Sequence, residues 1–209
     1  MRVDRRSFWF LDAVVKWGEN LAVLGSPDIE IIINRRTHGL EARELAPMLA
    51  SLCEAGLIEV KHHDSGVRAR SLPEIESAFA VSSCRPGRYS GFWYTLTPEG
   101  GALWESLTRP DWSRYCKGEW GKEQTCLKAG SHERLEAELT WQATDPWSER
   151  VSGSEVWTVV RPWEATYWKT LPEGFEVRYR RIDKKYLACN LQAARRPVPP
   201  PPWYDKPEL

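Results

Sequence analysis

The chain has 209 residues, enough to bury the core of one large domain or two small ones. Its 29 Lys and Arg balance 29 Asp and Glu, which excludes a global field drawing it to nucleic acid or an anionic membrane, so any such binding has to be local. A 42% hydrophobic and 28% charged composition excludes a disordered chain, and the 12 tryptophans are its unusual feature.

The amino terminus begins with basic residues, but Asp12 and Lys16 interrupt the apolar run before it reaches the length of a signal peptide, and no stretch is apolar enough to span a bilayer. Phe8, Leu11, Val14, Val15, Gly18, Leu21 and Ala22 recur at steps of three and four and predict one helix over residues 5–24, broken by "GSPD". The run "IEIIIN" is assigned to a short helix, although its β-branched residues would also suit a strand. In "GLEARELAPMLASLCEAGLIEV", Leu45, Met48, Leu49, Leu52 and Cys53 form a helical stripe, with Gly56 as its stop and "LIEV" as a following strand. Pro47 would clash with a carbonyl four residues back, so this helix is expected to begin near Glu44 and hold Pro47 in its first turn.

A further helix is expected around "SLPEIESAFA", and "GFWYTL" is strand-like. Thr97 then has the character of an N-cap, Pro98 of a first helical residue, and Glu99 of an acid at the positive end of the dipole. Gly100 and Gly101 weaken that helix by about 1 kcal/mol each relative to Ala. Their presence predicts close approach of a neighbouring element, because Gly has no Cβ to hold it off.

The succession of helix, short segment, helix, strand, long connection, strand and helix resembles a winged helix-turn-helix domain of the MarR or PadR kind. "LASLCEAGLIEV" and "YTLTPEGGAL" carry the resemblance, which covers roughly residues 5–108. It implies a winged-helix-like domain over residues 1–109, a long wing insertion over 61–91, and a DNA-reading helix at residues 45–55. That helix and its approach carry Glu41, Glu44 and Glu54 against Arg43 alone, where a helix in the major groove brings bases and amides. The basic candidates for a nucleic-acid contact are therefore Arg68, Arg70, Arg85 and Arg88 of the insertion.

Residues 110–196 form a Trp-rich second region. "RPDWSRYCKGEWGKEQTCLKAG" lacks a clean period and is expected to be an irregular linker with at most one short helix. Ser131 caps a helix over "HERLEAEL", and "EVWTVVR", apolar on both faces, predicts a buried strand. "LPEG" has the composition of a type I turn, and Phe175, Val177 and Tyr179 alternate with Glu176, Arg178 and Arg180, which together predict a hairpin within residues 165–181. The expected fold class is α+β.

Between residues 161 and 196 nine bases stand against four acids, interleaved with large rings. One reading makes these rings the core of a small sheet with the bases on its wet face. A second makes the interleaved rings and bases a stacking and phosphate surface for nucleic acid. A third makes Trp163, Trp168, Arg178, Arg180, Trp203 and Tyr204 anchors for a protein partner, because Trp, Tyr and Arg are enriched in binding hot spots. The prolines of the tail at 197–209 impose an extended segment, free or docked.

Five scattered cysteines without a C-x-x-C pair argue against a disulfide framework or zinc ribbon and fit a reducing cytoplasm. "HHD" at 62–64 lacks the additional ligands a metal site needs, since only His38 and His132 remain. No nucleotide-binding or hydrolase motif occurs, so neither cofactor, metal nor enzymatic activity is expected. The leading functional expectation is a non-enzymatic module that binds another protein, of an immunity or antitoxin-like kind. A DNA-binding regulator stands second, and an enzyme of unrecognised type third.

Overall fold

The computed structural model describes residues 3–85, 88–121, 123–145, 148–183 and 202–207. It is a mixed α and β structure in two compact units. One is drawn from residues up to Thr108 together with Thr166–Lys169. The other is drawn from Arg109–Ala165, from Thr170 through the last strand, and from the described tail up to Lys206.

The first unit opens with α1 (Arg5–Ala13), capped by Asp4, whose carboxylate accepts the Ser7 N–H at 2.7 Å. The single helix expected over residues 5–24 is broken. After Ala13 the chain enters β1 (Glu19–Asn20) and then α2 (Leu21–Leu24), with α3 (Ile29–Ile32) beyond it. Two local causes act here. A Cβ at Gly18 would lie 2.6 Å from the Thr95 methyl, so Gly18 marks a close approach to a strand. Asn20 caps α2, its side chain accepting the Ala22 N–H at 2.9 Å while donating to the Ser90 carbonyl at 3.0 Å.

α4 (Ala42–Glu54) starts earlier than expected, because Glu44 turns back to accept the Glu41 N–H at 2.7 Å and so fixes the first turn at Ala42. Pro47 consequently lies in the second turn, on the exposed side. Gly56, at φ +70°, ends the helix and turns the chain into β2 (Ile58–His62). The long connection contains β3 (Arg68–Ala69), α5 (Leu72–Val81), and a small hairpin of β4 (Ser83–Arg85) and β5 (Arg88–Ser90). β6 (Phe92–Leu96) and α6 (Pro98–Thr108) complete the unit.

Its sheet is antiparallel in the order β1-β6-β2-β3. Phe10, Leu11, Leu21, Leu49, Leu52, Ile75, Tyr94 and Trp104 are fully buried around it. The helix start behaves as its sequence implies: Thr97 Oγ1 accepts the Gly100 N–H at 3.0 Å, and a Cβ at Gly100 would meet the Leu57 carbonyl oxygen at 1.8 Å.

The second unit begins with a 3₁₀ turn, Trp112–Arg114, followed by β7 (Cys116–Trp120) and β8 (Gln124–Ala129). These two strands pair antiparallel, so the segment expected to be an irregular linker is a hairpin. Its period is obscured because Lys117, Glu119, Gln124 and Lys128 lie on one face, while the other face holds small residues as well as large ones. α7 (His132–Gln142) is capped by Ser131, whose hydroxyl accepts the Arg134 N–H at 3.2 Å.

β9 (Ser148–Arg150), β10 (Val156–Val160), β11 (Trp163–Glu164), β12 (Thr170–Leu171) and β13 (Gly174–Asp183) follow. The main sheet is antiparallel, in the order β10-β13-β8-β7, with β9 on the far end of β13. The hairpin expected through "LPEG" is not the pairing found. β12 pairs with β11, whereas β13 pairs with β10 and β8, so residues 172–173 carry the chain from one sheet into another. Leu127, Ala129, Leu135, Leu139, Val177 and Tyr179 form the core between sheet and helix, as the alternation in residues 175–180 implies.

Candidate functional site

In the second unit, β10 pairs with β13 through the register Val156↔Arg178, Trp157↔Val177, Thr158↔Glu176, Val159↔Phe175 and Val160↔Gly174. Among the described residues no strand lies on its other side. The expectation of a buried strand is therefore corrected. Val156 is 61% exposed, Val159 46% and Trp157 38%, and Thr158 is exposed with them. Apolar residues on both faces suggested burial from above and below, but a strand at the end of a sheet lacks a neighbour on one side, and periodicity cannot report that.

The cross-strand register sorts these side chains. Trp157 and Val159 share the α7 face with Val177 and Phe175, and Trp157 stacks on His132 with ring centroids 4.4 Å apart. Val156 and Thr158 share the opposite face with Arg178 and Glu176. Glu176, 6% exposed, accepts from Arg178 and Lys128, the latter at 3.2 Å. Burial alone would push its carboxyl up, but the hydrogen bonds and charges of Arg178 and Lys128 outweigh that and hold it below the usual carboxylate range.

Unprotected edges are uncommon in sheets, because free N–H and C=O groups invite another chain to pair. The opposite edge, β7, carries Lys117 and Glu119, and the edge strands β1 and β3 of the first unit are two residues each. β10 has neither a charge nor a proline along its five residues. Arg150–Glu155 at 2.9 Å and Arg161–Glu173 place ion pairs at its two ends.

The six residues expected to anchor a partner have different environments within their own units. Trp163 is 1% exposed and packs with Tyr115, Ala165 and Trp203; a Cβ at Gly174 would lie 2.3 Å from its ring. It is a core residue and not an exposed anchor. Trp203 is half-buried against Tyr115 and Trp112, at 4.6 and 5.0 Å between ring centroids, and its carbonyl accepts the Asp111 N–H at 2.8 Å. Tyr204 stands edge-on to Trp203 at 4.8 Å. The described end of the tail is thus docked, while residues 184–201, including four of the nine bases counted above, lie outside the described residues.

Trp168 belongs to the first unit. Its indole N–H donates to the Val15 carbonyl at 2.8 Å, and its ring lies against Gly101 and edge-on to Trp104. Its neighbour Tyr167 donates to the Val14 carbonyl and accepts the Leu96 N–H, both at 2.7 Å, and burial raises its pKa. Arg178 and Arg180 are exposed on β13, Arg178 held by Glu176.

Of the basic candidates in the first unit, Arg68 pairs with Glu59 at 3.1 Å, and Arg70 offers its backbone N–H to the Glu74 cap at 2.8 Å. Arg85 and Arg88 face each other across the β4–β5 hairpin, and no carboxylate pairs with either among the described residues. Arg68 and Arg70 line a groove of about 750 Å³ beside Pro47, Ala50, Ser51 and Glu54 of α4.

The histidines do not converge. His38 accepts the Leu40 N–H on Nδ1 at 2.9 Å, so its Nε2 donates to the Leu24 carbonyl at 3.0 Å and both nitrogens are engaged. His62 and His63 pack on Phe92 and Trp93. No group of three His, Cys, Asp or Glu is placed to hold a metal among the described residues, and no described helix is long and apolar enough to cross a membrane. Comparison with family models, curated proteins and solved structures finds no match to this chain.

Proposed function

We propose that this chain is a non-enzymatic binding protein, with a winged-helix first unit, whose second unit takes a protein partner by strand addition at β10. The antiparallel order β1-β6-β2, with α1 before it and α4 leading into β2, supports the winged-helix reading. The observation that carries the binding function is the edge of β10 that no strand covers among the described residues, where Val156, Trp157 and Val159 are exposed without a protecting charge. Strand addition draws affinity from main-chain hydrogen bonds and specificity from alternate side chains, and this edge offers both.

Capture with the tagged full chain tests the reading. A Val159→Lys variant puts on the edge the charge that natural edge strands use against pairing. It should keep its melting temperature and lose the captured protein, whether or not nuclease is present. Unchanged capture by this variant would sink the proposal.

A second reading, a DNA-binding regulator, draws on Arg85 and Arg88, which no carboxylate pairs among the described residues. Against it, residues 1–108 hold 14 carboxylates to 12 bases, and the outward residues of α4 include Pro47, Ser51 and Glu54. Binding of a defined duplex at physiological salt that disappears in Arg85→Ala/Arg88→Ala would favour it over the first.

A further inference from the structure

We infer that the strand β10 receives is a second copy of itself, so that the protein forms a two-fold dimer through antiparallel β10–β10 pairing. This rests on the reading of β10 as a docking edge. Residues 155–161, "EVWTVVR", are self-complementary. Antiparallel pairing about Thr158 sets Val156 opposite the partner's Val160, Trp157 opposite the partner's Val159, and Thr158 opposite its own copy. The same register sets Glu155 opposite the partner's Arg161 at both ends. Every pair is then favourable: β-branched on β-branched, aromatic on β-branched, Thr on Thr, and acid on base.

A two-fold interface uses one patch twice, so such a patch has to match itself under rotation. Uncharged residues at 156–160 avoid the like-charge juxtaposition that self-pairing otherwise creates. The charges flanking the strand are opposite in sign and equidistant from Thr158. Glu155 and Arg161 already pair with Arg150 and Glu173 within the chain, so the intermolecular contacts join existing ion pairs instead of leaving a charge to be desolvated alone. Trp157 and Val159 on one face, and Val156 on the other, would be covered by the same residues of the second copy.

Cysteine placement reads the register directly. With the purified full chain, Thr158→Cys brings two thiols to about 4.5–5.5 Å between Cα atoms in the proposed pair, within disulfide reach. Val156→Cys leaves the equivalent thiols four residues, about 13 Å, apart along the strands. Under mild oxidation the Thr158→Cys variant should form a disulfide dimer joined through position 158, identified by peptide mapping, at least tenfold faster than the Val156→Cys variant forms one through position 156. Sedimentation should show a concentration-dependent dimer that Thr158→Lys, which sets two like charges face to face at an exposed position, converts to monomer with an unchanged melting temperature. Equal cross-linking rates, a dimer that survives Thr158→Lys, or a monomer at all concentrations would each overturn the inference. A monomer whose capture of another protein is abolished by Val159→Lys overturns the two-fold dimer and leaves the strand-addition function standing. A monomer with capture unaffected removes both.

Discussion

Gly100 lies directly against the backbone of Leu57: a Cβ added at position 100 would stand 1.8 Å from the Leu57 carbonyl oxygen and 2.8 Å from its carbon. The obstacle is backbone tied into the fold, since that oxygen accepts the Thr97 N–H at 3.1 Å. Gly100→Ala should therefore destabilise the first unit by about 1–3 kcal/mol, even though Ala favours an ordinary helix by about 1 kcal/mol. At Gly101 the obstacle is the Trp168 ring, 2.1 Å from the added Cβ, which has more freedom to move. Gly101→Ala should cost less in a denaturant titration while shifting the NMR signal of the Trp168 indole N–H.

Asp12 is 3% exposed, accepts the Trp104 indole N–H at 2.9 Å and forms an ion pair with Arg35. Arg35→Met leaves that carboxylate buried without its counter-charge and should destabilise by about 3–5 kcal/mol. The double variant Arg35→Met/Asp12→Asn removes the charge yet keeps an acceptor for Trp104, so it should recover most of the loss. Chemical denaturation of both variants checks this, and equal losses would contradict it.

The depressed pKa of Glu176 has a sign in stability. Its carboxylate is favoured in the folded state, so the contribution is present above the ordinary carboxylate pKa and is lost as pH falls through the lower folded value. Glu176→Gln should be less stable than the parent near pH 7, and the difference should close as the pH falls below about 4.3. Melting curves between neutral and acidic pH decide it; a constant difference would show that Lys128 and Arg178 contribute nothing through charge.

Trp203 packs on Tyr115 and Trp112. Removing residues 197–209 or substituting Trp203→Ala should lower the stability of the second unit by about 2–3 kcal/mol, less than the roughly 3–5 kcal/mol of a wholly buried tryptophan because the ring is half-buried. A truncated chain with the parent's melting temperature would mean that this stacking adds no stability.

The signals that the sequence carries by itself are those completed within a turn or two of chain. Thr97–Pro98 starts α6, Gly56 ends α4, Ser131 caps α7, and the alternation from Phe175 to Arg180 gives the two faces of β13, because each needs only backbone groups or side chains a few residues away. Two adjacent glycines imply a close approach, but only the tertiary structure supplies the Leu57 backbone and the Trp168 ring as what approaches. The same distance limit hides the break at Gly18–Asn20, which depends on Thr95 and Ser90, and the division of the tryptophans, with Trp163 in a core and Trp203 docked on Tyr115. The composition of β10 is legible as a strand, whereas its exposure is not. A strand's hydrophobic pattern records what lies above and below it, and whether another strand lies beside it is decided by where the chain places β13, β8 and β7.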